Sequence, residues 1–267
     1  MVRSRIKAVD LRRRDLRKPF PRHFSKRVAG ETVLALTRRG KYLLASLSSG
    51  ETILLHLGMS GSLRVEPEHA AGDPHDHVVF RMSSGRAVVF NDPRRFGVMD
   101  LIRVGRLERH PALSRLGPEP LSDDFNAAAL ARACRGKKTS LKAALMDQRV
   151  IAGLGNIYAV EALHLAGLSP HRRASTIATP TGAPREAAYL LVGAIKRVLE
   201  KRSGVSRAPR TATTRFSSTT ARTSPVRKKT GVGRFAVASR VDDRRSIARR
   251  ASVSAIASTR VALISDI

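Results

Sequence analysis

Several short stretches of the sequence set side chains with phosphate and base chemistry where packing alone explains them poorly. In FNDPRRFGVMDL, Asp92-Pro93 starts a turn that projects Arg94, Arg95 and Phe96 before Gly97 returns the chain to a strand. An exposed Arg-Arg-Phe tip between strands is less easily explained by packing, which leaves a contact role and a structural one equally open. In TILLHLGMSGSLRV an apolar strand runs into Leu57-Gly58-Met59-Ser60-Gly61, two glycines bracketing Met59 on a tight turn. Met59 taken alone is more often a core methionine. Lys41 in RRGKYLL sits between Gly40 and a strand, where a lone lysine is most often a solvated strand-edge residue. In KKTSLKAALMDQRVIAGLGNIYAVEAL, Gly153 and Gly155 allow close backbone approach, and Asn156 stands where the N-cap of the next helix belongs. Free N–H groups and the positive end of the helix dipole make such a start an anion site, with the Asn156 side chain as an added contact. Lys137 and Lys138 fit a second phosphate contact, although paired lysines are commonly plain surface.

Composition bears on which anion is met. The chain has 267 residues, 50 Lys+Arg against 21 Asp+Glu and a formal net charge of +29. Residues 201–267 hold 16 of those basic and 3 of those acidic residues, so residues 1–200 alone carry about +16. A field of that sign draws nucleic acid or an anionic membrane surface. No apolar run approaches the ~20 residues that span a bilayer, and MVRSRIKAVDLRRRDLRK has charge without an apolar signal core, so a cytoplasmic protein with no membrane contact is expected. The single cysteine, Cys134, excludes a disulfide framework or a cysteine-based zinc site built within the chain. In AALARACR it reads as a small apolar core residue.

Two kinds of scaffold must position these groups. From Thr32 to Ile102, TVLALT, YLLASL, TILLHL, SLRV, HVVFRM, AVVF and VMDLI read as strands, with Ser48-Ser49-Gly50 and Ser83-Ser84-Gly85 as tight connections. The first half, residues 1–115, is expected to be a β-sandwich or flattened barrel. Beyond Pro118 the period lengthens to about 3.6, with helices expected at 127–135, 140–148, 156–166 and 186–201. Ile157, Val160 and Leu163 mark the apolar repeat of the third, and Leu191, Ile195, Val198 and Leu199 share a face of the last. Residues 116–200 are thus a helical domain, giving an α+β multidomain protein. Residues 201–267, rich in Arg, Ser, Thr and Ala, are too polar to bury a core and are expected to be a disordered basic tail.

RGKYLL, HLGMSGSLRV, HDHVVF, DPRRFG, LGPEPLSDDFN, KKTSLKAALMDQ and GLGNIYAVEAL followed by AGLSP occur together and in this order. In this the sequence resembles the formamidopyrimidine-DNA glycosylase and endonuclease VIII family over residues 5–200, the formamidopyrimidine branch more closely. The resemblance implies a β-sandwich and a helical domain with a helix-two-turn-helix motif flanking a DNA cleft. It implies a monomeric base-excision repair glycosylase and abasic-site lyase that acts on double-stranded DNA carrying oxidised purines by base flipping and Schiff-base chemistry. By motif, Lys41 resembles the catalytic lysine that donates a proton during β-elimination. Met59, Arg94 and Phe96 resemble the wedge that fills the gap left by the extruded base, offsetting part of a stacking cost of a few kcal/mol. His56, His75, Arg94, Lys137 and Asn156 match DNA-binding positions, each a donor to an anionic or polar acceptor.

The sequence departs from the family at both ends. The family's Pro-Glu-Leu-Pro-Glu start, whose terminal proline is the nucleophile, is absent, and the match begins about two dozen residues in. A terminal amine with a pKa of about 7.7–8.0 keeps a neutral fraction that an ordinary lysine near ~10.4 lacks. The four-cysteine zinc finger is absent too, so no cofactor is expected in this chain. The expectations are a true start upstream of Met1 and a tail read in a shifted frame. A catalytically inactive DNA-binding remnant is the alternative to an active enzyme, and charge alone would also allow a general RNA-binding protein.

Overall fold

A computed structural model describes residues 1–70 and 72–203, the side chains of the last two excepted. The expected disordered tail falls almost wholly outside the described residues.

The β-rich half contains β1 (Ile6–Leu11), β2 (Val33–Arg39), β3 (Tyr42–Leu47), β4 (Thr52–His56), β5 (Ser62–Pro67), β6 (Asp76–Met82), β7 (Arg86–Asn91) and β8 (Val98–Ile102). They form two four-stranded antiparallel sheets, ordered β1-β6-β7-β5 and β2-β3-β4-β8. Side chains of both sheets meet in one core, with Phe80, Val88 and Phe90 from the first and Val33, Leu47, Ile53 and Leu55 from the second. All seven expected strands form. The connections at Gly50 (φ 80°) and Gly85 (φ 74°) take the left-handed conformation that glycine adopts without strain.

In the β-rich half two elements escaped the sequence pattern. β1 lies in a segment dense in arginine, where charge masks a strand whose Ile6 and Val9 are buried. It is held in place by pairing with β6, Val9 opposite Phe80. The five-residue helix α1 (Phe24–Val28) has too few turns to show a period, yet its Phe24 and Val28 are buried against the same core.

The helical half contains α2 (Ala127–Cys134), α3 (Leu141–Met146), α4 (Asn156–Leu165), a 3-10 helix (Ala174–Ile177) and α5 (Glu186–Ser203). Asn126 caps α2 by accepting from the Ala129 N–H (3.0 Å), and Ser140 caps α3 by accepting from the Ala143 N–H (3.2 Å). α3 stops at Asp147, two residues before the sequence period suggests, and that carboxylate binds the Arg149 guanidinium at 2.9 Å. Of the apolar repeat expected on α4, only Leu163 is buried. Tyr158, Ala159, Ala162 and Leu163 face the core, whereas Ile157 and Val160 are 50% and 42% exposed. Ala159 and Ala162 let α4 sit close to its neighbours, while Tyr158 and Leu163 fill the space on either side. Leu191, Ile195 and Leu199 of α5 are buried as expected, with Val198 partly so. Among the described residues no helix is long and apolar enough to cross a membrane.

Phe125, fully buried beside Leu130 and Leu141, is a test of this second core. Phe125→Ala should lower the unfolding free energy by ~3–5 kcal/mol in urea titration. A loss below ~1 kcal/mol would mean that the site is not close-packed.

Candidate nucleic-acid interface

The hairpin joining β2 to β3 pairs Arg39 with Tyr42, leaving Gly40 and Lys41 as its two-residue turn. Gly40 supplies the positive φ (57°) that such turns require. Glu119, from the LGPEPL segment, gathers the turn. Its Oε1 accepts from the Gly40 N–H at 2.6 Å and from Arg39 Nη1 at 2.8 Å, and its Oε2 lies 3.0 Å from Arg38 Nη1. Arg39 also donates to the Leu116 and Gly117 carbonyls at 3.1 and 2.6 Å. A Cβ on Gly40 would lie 3.6 Å from the Gly153 nitrogen, and one on Gly153 3.5 Å from the Gly40 carbonyl oxygen. The Lys41 turn therefore abuts the glycine-lined turn just before α4. Lys41 is half-buried beside a recess of about 30 Å3 lined by Tyr42, Leu43, Leu55, Leu57 and Leu63, and burial lowers its pKa from the usual lysine value.

His56 lies opposite Tyr42 at the end of β4, with their rings 5.1 Å apart. Its Nδ1 accepts from the Gly58 N–H at 3.0 Å, so in the neutral ring the proton sits on Nε2. Burial first, then the charges of Lys41 and Arg17, hold its pKa below the ordinary histidine value. This places Lys41 and His56 within each other's field.

The next turn carries Met59, 73% exposed, and it is locked to the DPRRFG loop. Gly58 has φ 72°, and a Cβ there would lie 2.6 Å from the Phe96 carbonyl carbon, so backbone meets backbone. The Ser60 hydroxyl donates to Asp92 Oδ1 at 2.6 Å and accepts from the Arg94 N–H at 3.2 Å. Asp92, wholly buried, also takes the Gly97 N–H on Oδ2 at 2.7 Å, and its carbonyl accepts from His77 Nε2 at 2.9 Å. The Arg94 guanidinium carbon lies 4.7 Å from the centroid of Phe96, which is 39% exposed. Met59, Arg94 and Phe96 thus stand on two loops fastened together and face solvent. The exposed His75 is fastened to the same unit by its carbonyl, which accepts the Asp92 N–H at 3.0 Å.

The helical half places the remaining two candidates. Asn156 is exposed, but it is the first helical residue and not the cap. Gly155 holds the cap position in an extended conformation, its carbonyl accepting the Ala159 N–H at 2.9 Å. That frees the Asn156 side chain, which makes no hydrogen bond among the described residues. Lys137 follows Gly136 in the loop after α2, with its amine 4.0 Å from the Asp147 carboxylate. No hydrogen bond or ion pair among the described residues joins Lys137 to the other candidates.

Glu119, Asp92 and Ser60, which hold the site together, were not singled out by sequence reasoning. Asp92 read as a turn starter and Glu119 as part of a motif. Their only signal was inclusion in DPRRFG, LGPEPL and GMSGS, because no period reports a partner 32 residues away, as Ser60 is from Asp92.

Two family models match this chain, the formamidopyrimidine-DNA glycosylase N-terminal domain over residues 1–99 and the formamidopyrimidine-DNA glycosylase H2TH domain over residues 116–213. The chain belongs to the formamidopyrimidine-DNA glycosylase family. A formamidopyrimidine-DNA glycosylase of Rhodopseudomonas palustris (strain BisA53) is 59% identical over 213 residues, which cover 75% of this chain and 73% of that one. The solved Fpg of Thermus thermophilus aligns with a TM-score of 0.65 at 36% identity, covering 76% of this chain and 70% of its own. Lactococcus lactis Fpg, solved in complex with DNA containing an abasic site, aligns with a TM-score of 0.68 at 26% identity, covering 75% and 73%. The four-cysteine zinc site that the resemblance to formamidopyrimidine-DNA glycosylases implies does not fit these residues. The one cysteine, Cys134, is buried in α2 with its thiol pushed up to about 11 by desolvation, and among the described residues no group of three or more His, Cys, Asp or Glu could hold a metal ion.

Two outcomes follow. Because the folded His56 resists protonation, the unfolded chain takes up the proton first, so its contribution lowers stability as pH falls below about 6.5 and levels off once pH is under the folded pKa. In urea titrations between pH 7.5 and pH 5, His56→Gln should show a shallower acid loss than the parent; identical slopes would refute it. Asp92→Ala should cost ~2–4 kcal/mol, since it strips a buried carboxylate from the Ser60 and Gly97 donors. A melting temperature equal to the parent's would show that the two loops are held by something else.

Proposed function

We propose that this chain is a base-excision repair DNA glycosylase and abasic-site lyase. Its substrate is double-stranded DNA carrying an oxidised purine, and it works as a monomer without a cofactor. The single observation that carries the reading is the pair of interlocked loops presenting Met59, Arg94 and Phe96 to solvent, with His56 at the end of β4 beside the Met59 turn and within the field of Lys41. Apolar and planar side chains on a rigid mount suit a duplex gap better than flexible ones, because little conformational entropy is lost on insertion. Met59, Arg94 and Phe96 fill the place of the extruded nucleotide.

Each remaining candidate has a role consistent with its setting. Lys41, its pKa lowered by burial, holds a proton that it gives up more readily than a solvated lysine and so serves as the donor during elimination. His56 offers Nε2–H to a phosphate oxygen while Nδ1 is engaged by Gly58. His75, Arg94, Lys137 and Asn156 bind the sugar-phosphate backbone, which fixes register without reading sequence. We assign residues 1–115 to a β-sandwich catalytic-type domain and 116–200 to a DNA-binding domain with a helix-two-turn-helix built on α3 and α4. The match of the two family models to 1–99 and 116–213 supports that division.

Borohydride reduction of the full chain on a duplex with an abasic site tests the chemistry, since only an amine joined to the sugar C1′ as an imine is fixed covalently. The expected result is a reduced adduct on an amine other than Lys41, whose role is that of proton donor, so Lys41→Met should keep the adduct while strand cleavage slows at least tenfold. Binding that prefers the abasic duplex but leaves no adduct would overturn the lyase assignment and leave the chain a DNA-binding remnant. A lack of preference for the damaged duplex over an intact one would overturn the repair reading altogether.

A further inference from the structure

Away from the wedge loops, the helical half holds a broad cleft of about 610 Å3 where the end of α2, the 3-10 helix and the start of α5 meet. Arg135, Arg172 and Arg185 line it together with Ser175, Thr176 and Thr179. No carboxylate is among its lining residues, and none of the three arginines is in an ion pair among the described residues. Three arginines lining one open cleft without a counter-charge repel one another, and an anion removes that repulsion.

Two of the three are held for the task. Arg172 Nε donates to Thr176 Oγ1 at 2.6 Å, and Thr176 Oγ1 in turn donates to the Arg173 carbonyl at 2.7 Å. Arg185 Nε donates to the Ala178 carbonyl at 3.2 Å. Both side chains are thereby anchored at Nε, which leaves the Nη groups to meet phosphate oxygens in pairs, the geometry in which arginine excels lysine. The cleft is also continuous with the residue assigned above to the DNA backbone. The Ser175 N–H donates to the Lys137 carbonyl at 3.2 Å, so the floor of the cleft is tied to the Lys137 loop.

We propose that this cleft is a second phosphate-binding site that grips the sugar-phosphate backbone of duplex DNA outside the lesion-recognition loops. The proposal rests on duplex DNA being the substrate, as argued under the proposed function. Its contribution is affinity and register without lesion selectivity, because phosphates are the same on damaged and intact duplexes.

The test is fluorescence anisotropy of the full chain on labelled duplexes, one carrying a tetrahydrofuran abasic analogue and one intact, over a series of salt concentrations. Removing a single phosphate interaction should make the log–log salt dependence shallower by about 0.9. R135Q/R172Q/R185Q should therefore reduce the slope by about 2 to 3 on both duplexes, with the ratio of their affinities unchanged. Arg135 makes no side-chain hydrogen bond among the described residues, so R135Q breaks no such bond and should reduce the slope by about 0.9. Unchanged slopes in both variants would overturn the proposal, as would a change seen on single-stranded RNA but not on duplex DNA. If the parent chain fails to distinguish the two duplexes while the variants still lose slope, the repair reading falls and the second site stands.

Discussion

The junction at Glu119 is the constraint on which the candidate site depends. One carboxylate binds the Gly40 N–H and Arg39 and pairs with Arg38, and Arg39 carries the connection on to the Leu116 and Gly117 carbonyls. Glycine is required where the surfaces touch, since a Cβ on Gly117 would lie 2.7 Å from the Arg149 carbonyl oxygen. Two basic side chains and one acid at a partly exposed seam would be worth little as separate surface ion pairs. Joined to a backbone N–H and two backbone carbonyls, they instead set a geometry. The β-hairpin carrying Lys41 is thereby held against the turn that leads into α4.

A second polar hub plays the equivalent part within the β-rich half. Asp92 is buried and gives its oxygens to Ser60, Gly97 and the His77 ring, while its own N–H reaches His75. A buried carboxylate is costly unless it is fully hydrogen-bonded, and here the bonds go to the mounts of Met59, Arg94 and Phe96. The exposed apolar groups that the fold tolerates are thus not loose ends. They are the outward side of a network whose inward side is satisfied.

What could be read from the sequence follows from range. Strand alternation and helical period are local, so all seven strands expected between Thr32 and Ile102 and the four main helices were legible from short windows. β1 was not, because its pairing with β6 is tertiary and its flanks are crowded with arginine. Lys41 and Met59 taken alone read as an ordinary surface lysine and a core methionine, and their selection, like the grouping with Arg94 and Phe96, came from motif resemblance and not from spacing. Asn156 was placed one residue too early because a glycine can hold an extended cap position as well as asparagine can. Glu119 and Asp92 act over long sequence separations through single hydrogen bonds, and such bonds leave no periodic trace.

The central claim, that the Met59, Arg94 and Phe96 unit enters a gap in the duplex, is tested most directly by 2-aminopurine fluorescence. The fluorophore is placed next to a tetrahydrofuran abasic analogue and the full chain is added to saturation, with binding followed independently by anisotropy. Insertion unstacks the neighbouring base, so the emission should rise with the parent chain and stay near the free-duplex level with Phe96→Ala at equal occupancy. Emission unchanged by the parent chain at full occupancy would contradict the claim.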